Sequence, residues 1–183
     1  MSISLNGFVE RYQMYHHSPL SDFSAVGTAV LQKAQRHANE LRHNSITTAH
    51  VVAGLMHGGP MTSVLNEQFQ LDLRVVLVGV GRLDIKKPDN ERFVFADGDS
   101  FALKRYTLTL NQALNKAVRI AKKSGRVGGL VIPEDILRAI LAVYDEDTQD
   151  LFKVLALDKD AIKQHLKAAR KAAKKADKLA RVA

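Results

Sequence analysis

Seven histidines, an acidic cluster and a run of glycines are the residues of this 183-residue chain whose types suit chemistry. The histidines stand at positions 16, 17, 37, 43, 50, 57 and 165, and His43, His50 and His57 recur every seven residues. On a helix that interval sets His50 and His57 on one face. A zinc site needs three or four converging ligands, and the H-E-x-x-H pattern is absent. Structural or surface histidines therefore account for the series, and His16 and His17 read as solvated. Asp145, Glu146, Asp147 and Asp150 have the composition of a metal or acid/base site, yet helix capping and solvation explain them without a further assumption. Gly125-Arg126-Val127-Gly128-Gly129 lacks the Lys-Ser/Thr that follows in a phosphate-binding loop, and reads as a connection between helices. There is no Cys, no G-x-S-x-G and no Ser in a recognisable His/Asp context. The expectation is a non-enzymatic protein with no catalytic residue, no metal and no cofactor.

The net charge of +8 invites a nucleic-acid reading until the charges are located. From Lys163 onward there are eight Lys/Arg and one Asp, which leaves 19 basic and 18 acidic residues before it. The body is nearly neutral and the tail is basic. Within the tail, Lys167, Arg170, Lys171, Lys174, Lys175 and Lys178 are the candidate contacts. Leu166, Ala169, Ala173, Ala176 and Ala180 form only a thin apolar stripe. Such a helix suits a phosphate backbone or an acidic partner. Alanine anchors a membrane poorly, and aromatic residues for base stacking are missing. The alternative reading, a solvated terminal helix, needs no partner at all. No apolar stretch approaches the roughly 20 residues that span a bilayer, and the N-terminal residues show no secretory pattern. With no cysteine, a cytoplasmic protein is expected.

The elements that must position these residues come twice. Phe23 to Leu55 and Tyr106 to Ile140 share the skeleton L-x-K-A-x-R-x-A: Leu31, Lys33, Ala34, Arg36 and Ala38, then Leu114, Lys116, Ala117, Arg119 and Ala121. After small insertions, the segment Ile46 to Val52 falls on Val131 to Leu137. Leu65, Phe69, Leu71, Asp72 and Val76 then fall on Leu151, Leu155, Leu157, Asp158 and Ile162. A recurring order of long helix, turn, short apolar helix and Leu-Asp restart marks a tandem repeat. The expected organisation is a leader over 1–22, a first copy over 23–80, a linker over 81–105, a second copy over 106–166 and a basic tail over 167–183.

Hydrophobic content of 46% with aromatic content of only 6% asks for an aliphatic, alanine-rich core. In the leader, Phe8, Tyr12 and Tyr15 have helical spacing. Asp22 or Ser24 caps a helix reaching about residue 42, and Thr47 caps a short one from Thr48 to His57. Thr62 to Gln68 gives a further short helix. Leu73 to Val80 is rich in β-branched residues and would suit a strand. Its partner in the second copy is plainly helical, so both are expected as helices. In the linker, Phe93-Val94-Phe95 suits an extended piece. The second copy repeats the series from Leu108, with Pro133, Glu134 and Asp135 opening its short helix, where acids favour the helix dipole. Asp145-Glu146-Asp147 then starts the next, and a last helix begins near Asp158 and continues into the tail.

This double pattern resembles the Clp N-terminal domain, the paired four-helix module at the front of Clp AAA+ protein unfoldases. The likeness rests on the Ala-x3-Ala helix, Ile-x3-His-Val-Val-x2-Leu at 46–55, Val-Leu-x5-Leu-Asp at 64–72 and Ile-Pro-Glu-Asp-Ile-Leu at 132–137. The resemblance implies an all-α fold, an eight-helix bundle of two pseudo-symmetric four-helix repeats, here with an N-terminal leader and a basic C-terminal helix. It also implies a docking module without the ATPase modules, since no phosphate-binding loop is present. In some Gram-positive members each repeat supplies a glutamate that helps hold phosphoarginine. Here Ala49 occupies the first of those positions and only Glu134 remains, which argues against that ligand. By resemblance His50 holds the family's ordinary histidine position, where its ring can bond near a helix start. The functional expectation is a protein-interaction module, an adaptor, regulator or substrate-docking domain whose partner is a Clp unfoldase, an adaptor or a substrate. Its docking groove is expected around Thr48, His50, Glu134 and Asp135. The alternative is a nucleic-acid-associated protein acting through the basic tail.

Overall fold

The computed structural model describes residues 19–57, 60–83, 105–126 and 128–180. The expected leader helix with Phe8, Tyr12 and Tyr15, the pair His16 and His17, and the extended piece Phe93-Val94-Phe95 lie outside these residues. A single 3₁₀ turn, Pro19–Asp22, leads into eight α-helices among the described residues. The first copy contains α1 (Ala25–Glu40), α2 (Thr48–Leu55), α3 (Pro60–Phe69) and α4 (Leu73–Gly81). The second contains α5 (Leu108–Lys122), α6 (Pro133–Val143), α7 (Glu146–Val154) and α8 (Lys159–Ala180). Two-residue strands β1 (Ser45–Ile46) and β2 (Arg105–Tyr106) are the only named strands described. The fold is all-α.

Local chemistry starts most of these helices where a side-chain acceptor is available. Ser24 accepts from the Gly27 N–H at 3.1 Å and Thr107 from the Leu110 N–H at 3.2 Å, satisfying amides that the first turn leaves unpaired. Asp72 and Asp145 do the same for α4 and α7, accepting from the Arg74 and Thr148 N–H groups at 2.6 and 3.1 Å. The β-branched segment Leu73–Gly81 is a helix, since a capped turn and a buried Val76–Val80 stripe outweigh its weak strand preference.

Main-chain contacts carry the twofold relation between the copies. β1 pairs in parallel with β2, Ser45 with Arg105 and Ile46 with Tyr106, and the Thr107 N–H donates to the Ile46 carbonyl at 3.0 Å. Across the pseudo-axis, Phe23 bridges Val131, and the Ser24 N–H donates to the Val131 carbonyl at 3.0 Å. Each copy therefore lends the segment before its long helix to the segment before the other copy's short helix. Matching left-handed residues terminate matching helices: Arg42 and Gly125 at φ 57° and 74°, Gln70 and Ala156 both at 51°. Gly125 takes that conformation at no steric cost, whereas Arg42 bears a strain that the first copy accommodates.

One continuous apolar core joins the copies, with Leu31, Ile46 and Leu55 meeting Leu110, Ile136, Ile140 and Leu151, all buried. The last helix runs into the basic tail as expected, α8 passing unbroken through 166 and 167. Alanine and lysine favour helix, and no capping or breaking residue stands there to stop it. One sequence expectation needs correction: α2 ends at Leu55 with Met56 as its C-cap, so His57 is outside it and shares no helix face with His50.

Candidate docking site

The four residues expected to line a groove divide into three internal struts and one surface residue. Thr48, His50 and Asp135 are buried at 0%, 0% and 1% exposure. His50 is the third residue of α2, where its Nδ1 accepts from the Thr47 N–H at 3.1 Å. Asp135 holds the same place in α6, where its Oδ2 accepts from the Ile132 N–H at 3.2 Å. A histidine in one copy and an aspartate in the other thus satisfy the same orphan amide at a helix start. The carboxylate also accepts from Arg126 Nη2, an ion pair that ties the glycine-rich loop to α6.

Thr48 joins the copies. Its hydroxyl donates to Asp145 Oδ1 at 2.6 Å, and the Thr148 hydroxyl donates to the same oxygen at 2.7 Å. Asp145 therefore caps α7 and anchors α2 through one atom. Thr48, His50 and Asp135 are thus buried and bonded within the scaffold. Glu134 is the exception. It reaches the surface and pairs with Arg138 one turn on, Oε1 to Nη2 at 2.6 Å.

The histidines form pairs. His37 stacks on His57 with centroids 4.7 Å apart and Nε2 atoms 2.6 Å apart, while Glu40 takes His37 Nδ1 at 3.1 Å. One of the two rings donates through Nε2–H to the other's Nε2. Burial, followed by His37, Lys33 and Arg36, holds the His57 pKa below its ordinary value. His43 Nδ1 faces His50 Nε2 at 3.0 Å, and His165 rests edge-on against Phe69. Among the described residues no group of three or more His, Asp or Glu side chains can hold a metal ion.

In the acidic cluster, Asp147 is pushed up to about 6 by burial, then by Asp145, Glu146 and Asp150. The folded pKa lies above the unfolded 3.8, so the folded state holds this proton more tightly. Stability is fully present below pH 3.8 and declines as the pH rises to about 6. Asp147→Asn removes that penalty. The helix dipole and solvent screening offset part of it, leaving an expected gain of about 1 kcal/mol at neutral pH. Urea unfolding at pH 7 and pH 3.5 checks this, since the gain must vanish in acid.

The surface that sequence reasoning missed is apolar. Val75 and Val78 of α4 and Val154 of α7 are 54%, 53% and 48% exposed. The two helices are in contact, and a Cβ built on Gly79, the residue after Val78, would lie 3.6 Å from Val154 Cγ1. The signal was the strand-like run at 73–80: a helix with valines on both faces buries one stripe and exposes the other. The basic candidates Lys167 and Lys171 are exposed and Arg170 is partly so, while Lys174, Lys175 and Lys178 share their helix. No helix among the described residues is long and apolar enough to cross a membrane.

Against known proteins, the sequence matches the Clp repeat (R) N-terminal domain family over residues 22–156. No curated protein sequence matches the chain. Among solved structures, the N-terminal domain of the caseinolytic protease associated chaperone ClpD from Arabidopsis thaliana is similar at TM-score 0.65 and 17% identity, covering 87% of this chain and 99% of that one. The Hsp104 N-terminal domain from Candida albicans is similar at TM-score 0.56 and 19% identity, covering 79% and 89%. A protein from a malarial protein secretion system is similar at TM-score 0.59 and 16% identity, covering 82% and 95%. At these identities the three structures speak for the fold alone.

Proposed function

The chain belongs to the Clp repeat N-terminal domain family, and from that premise we propose that it is a non-enzymatic docking module that modulates a Clp chaperone–protease or presents substrates to it. The observation that carries this reading is the set of exposed valines on the contacting helices α4 and α7, beside polar residues Thr48 and Asp135 that are taken up by helix starts. Val75, Val78 and Val154 form a small patch of the kind that partner-binding surfaces use. Glu134, the one surface member of the expected groove, is a second contact in this reading.

The test is affinity capture from native extract followed by mass spectrometry. The wild-type protein retains a Clp unfoldase subunit, its adaptor or its client. V75S/V78S/V154S, altered only at exposed positions, melts as the wild type does and loses that partner. A wild-type column that retains no Clp component over a range of salt concentrations overturns the proposal. Partners that vanish on nuclease treatment and on charge reversal in α8 would favour the nucleic-acid reading instead. Substitution is the right tool here, because Leu166 is buried and its carbonyl accepts from Arg138 Nη2 at 2.9 Å. Truncation at Leu166 would cut α8 inside its packed portion.

A further inference from the structure

Where α8 leaves the body, it carries cations that the fold does not require. Arg138 and Leu141 of α6 and Lys163, Leu166, Lys167 and Arg170 of α8 line a cleft of about 230 Å³. Leu141 and Leu166 are buried and form its floor, and the four cations form its walls. Arg138 is held by Glu134 at 2.6 Å and Lys163 by Asp160 at 3.3 Å. Lys167 and Arg170 have no ion-pair partner among the described residues.

The repeat supplies a control within the molecule. At the places of Arg138, Leu141, Lys163, Leu166 and Lys167, the first copy has Ala53, Met56, Leu77, Val80 and Gly81. The equivalent helix pair, α2 on α4, packs there without a single cation. Arg138 has a packing role, its Nη2 donating to the Leu166 carbonyl at 2.9 Å, but the pairing of these helices does not explain Lys163 and Lys167, and like charges brought together repel one another.

We propose that this cleft docks an acidic segment of a partner protein, whose carboxylates pair with Lys167 and Arg170 while its backbone lies over Leu141 and Leu166. The inference rests on the reading of the body as a docking module and gives that partner a chemistry. Charge complementarity selects the occupant. A nucleic acid fits less well, because no aromatic side chain lines the cleft to stack a base. The cations also gather around a short buried floor, where a phosphate backbone needs an extended track.

Fluorescence anisotropy with a short fluorescein-labelled peptide of alternating Glu and Leu tests the site. The wild type binds the peptide, with affinity falling as salt rises. K167E/R170E weakens binding by about tenfold or more, whereas K174E/K175E, an equal charge change further along α8, alters it by no more than about twofold. K167Q/R170Q weakens binding in the same direction and introduces no acidic group into α8. Equal losses from the two charge-reversed pairs would overturn the cleft, since the charge of the whole helix would then be responsible. Tighter binding of a single-stranded oligonucleotide than of the peptide at the same salt would overturn it too. Failure of the peptide with a Clp component still captured from extract removes the cleft alone. Peptide binding with no Clp component captured supports the cleft and removes the proposed partner.

Discussion

Gly54→Ala lowers the melting temperature by about 4–8 °C, although alanine is the better helix former. Gly54 lies in α2 where that helix crosses α1, and a Cβ at this position would stand 2.4 Å from the Val30 carbonyl oxygen and 3.3 Å from the Ala34 nitrogen. Both neighbours are main chain of one helix, so relief requires α1 and α2 to move apart. Helix propensity favours the substitution by about 1 kcal/mol, whereas overpacking against backbone costs roughly 3 kcal/mol. The clash wins by about 2 kcal/mol. Gly81→Ala is the matched control, because its Cβ meets only Leu41 Cδ2 at an ordinary 3.4 Å. Thermal unfolding followed by circular dichroism should show the first variant melting early and the second melting no earlier than wild type. Equal melting of all three would mean that α1 and α2 do not cross this closely. At the equivalent places the second copy has Ala139 and Ala113, both buried.

Asp135→Ala costs about 3 kcal/mol, and Glu134→Ala, its neighbour, about 0.5 kcal/mol. The aspartate is buried and serves both the Ile132 N–H and the Arg126 guanidinium. Its loss strands an amide at the start of α6 and frees the loop that leads into that helix. Glu134 forms one ion pair along a helix at the surface, where water competes and side-chain order is costly. Chemical denaturation of both variants checks the ratio. Comparable costs would show that the two acids act only through the helix dipole. Asp135→Ala should also leave partner capture intact under conditions where it remains folded, because its side chain reaches no surface.

Helix positions and the doubling of the chain were readable from residues alone, because their causes are local. Ser24, Thr47 and Asp145 announce helix starts by what their own side chains can accept over three or four residues. Apolar spacing such as Val30, Ala34 and Ala38 announces a buried face. The repeat even placed His50 opposite Asp135, two unlike residues that bond the same amide. Local rules did not say which ends of these helices meet water. Thr48, His50 and Asp135 have the polar character of surface residues, and only the approach of α7, the β1 strand and the Arg126 loop encloses them.

The clearest case is Thr48, whose hydroxyl meets a carboxylate 97 residues away. No periodicity within either copy contains that contact. The same holds for the cleft: Arg138 stands in α6 and Lys167 in α8, and the sequence shows their charges but not their convergence. A basic tail and a body with separate charges become one lined cleft because α8 continues past its equivalent, α4, while still packed on α6. Sequence by itself determined most of the helices, the twofold plan and the lack of a recognisable catalytic motif, since each depends on short-range spacing and residue type. Tertiary structure alone decided which polar residues are struts and which are surface, because burial is a property of how helices from the two copies close on each other.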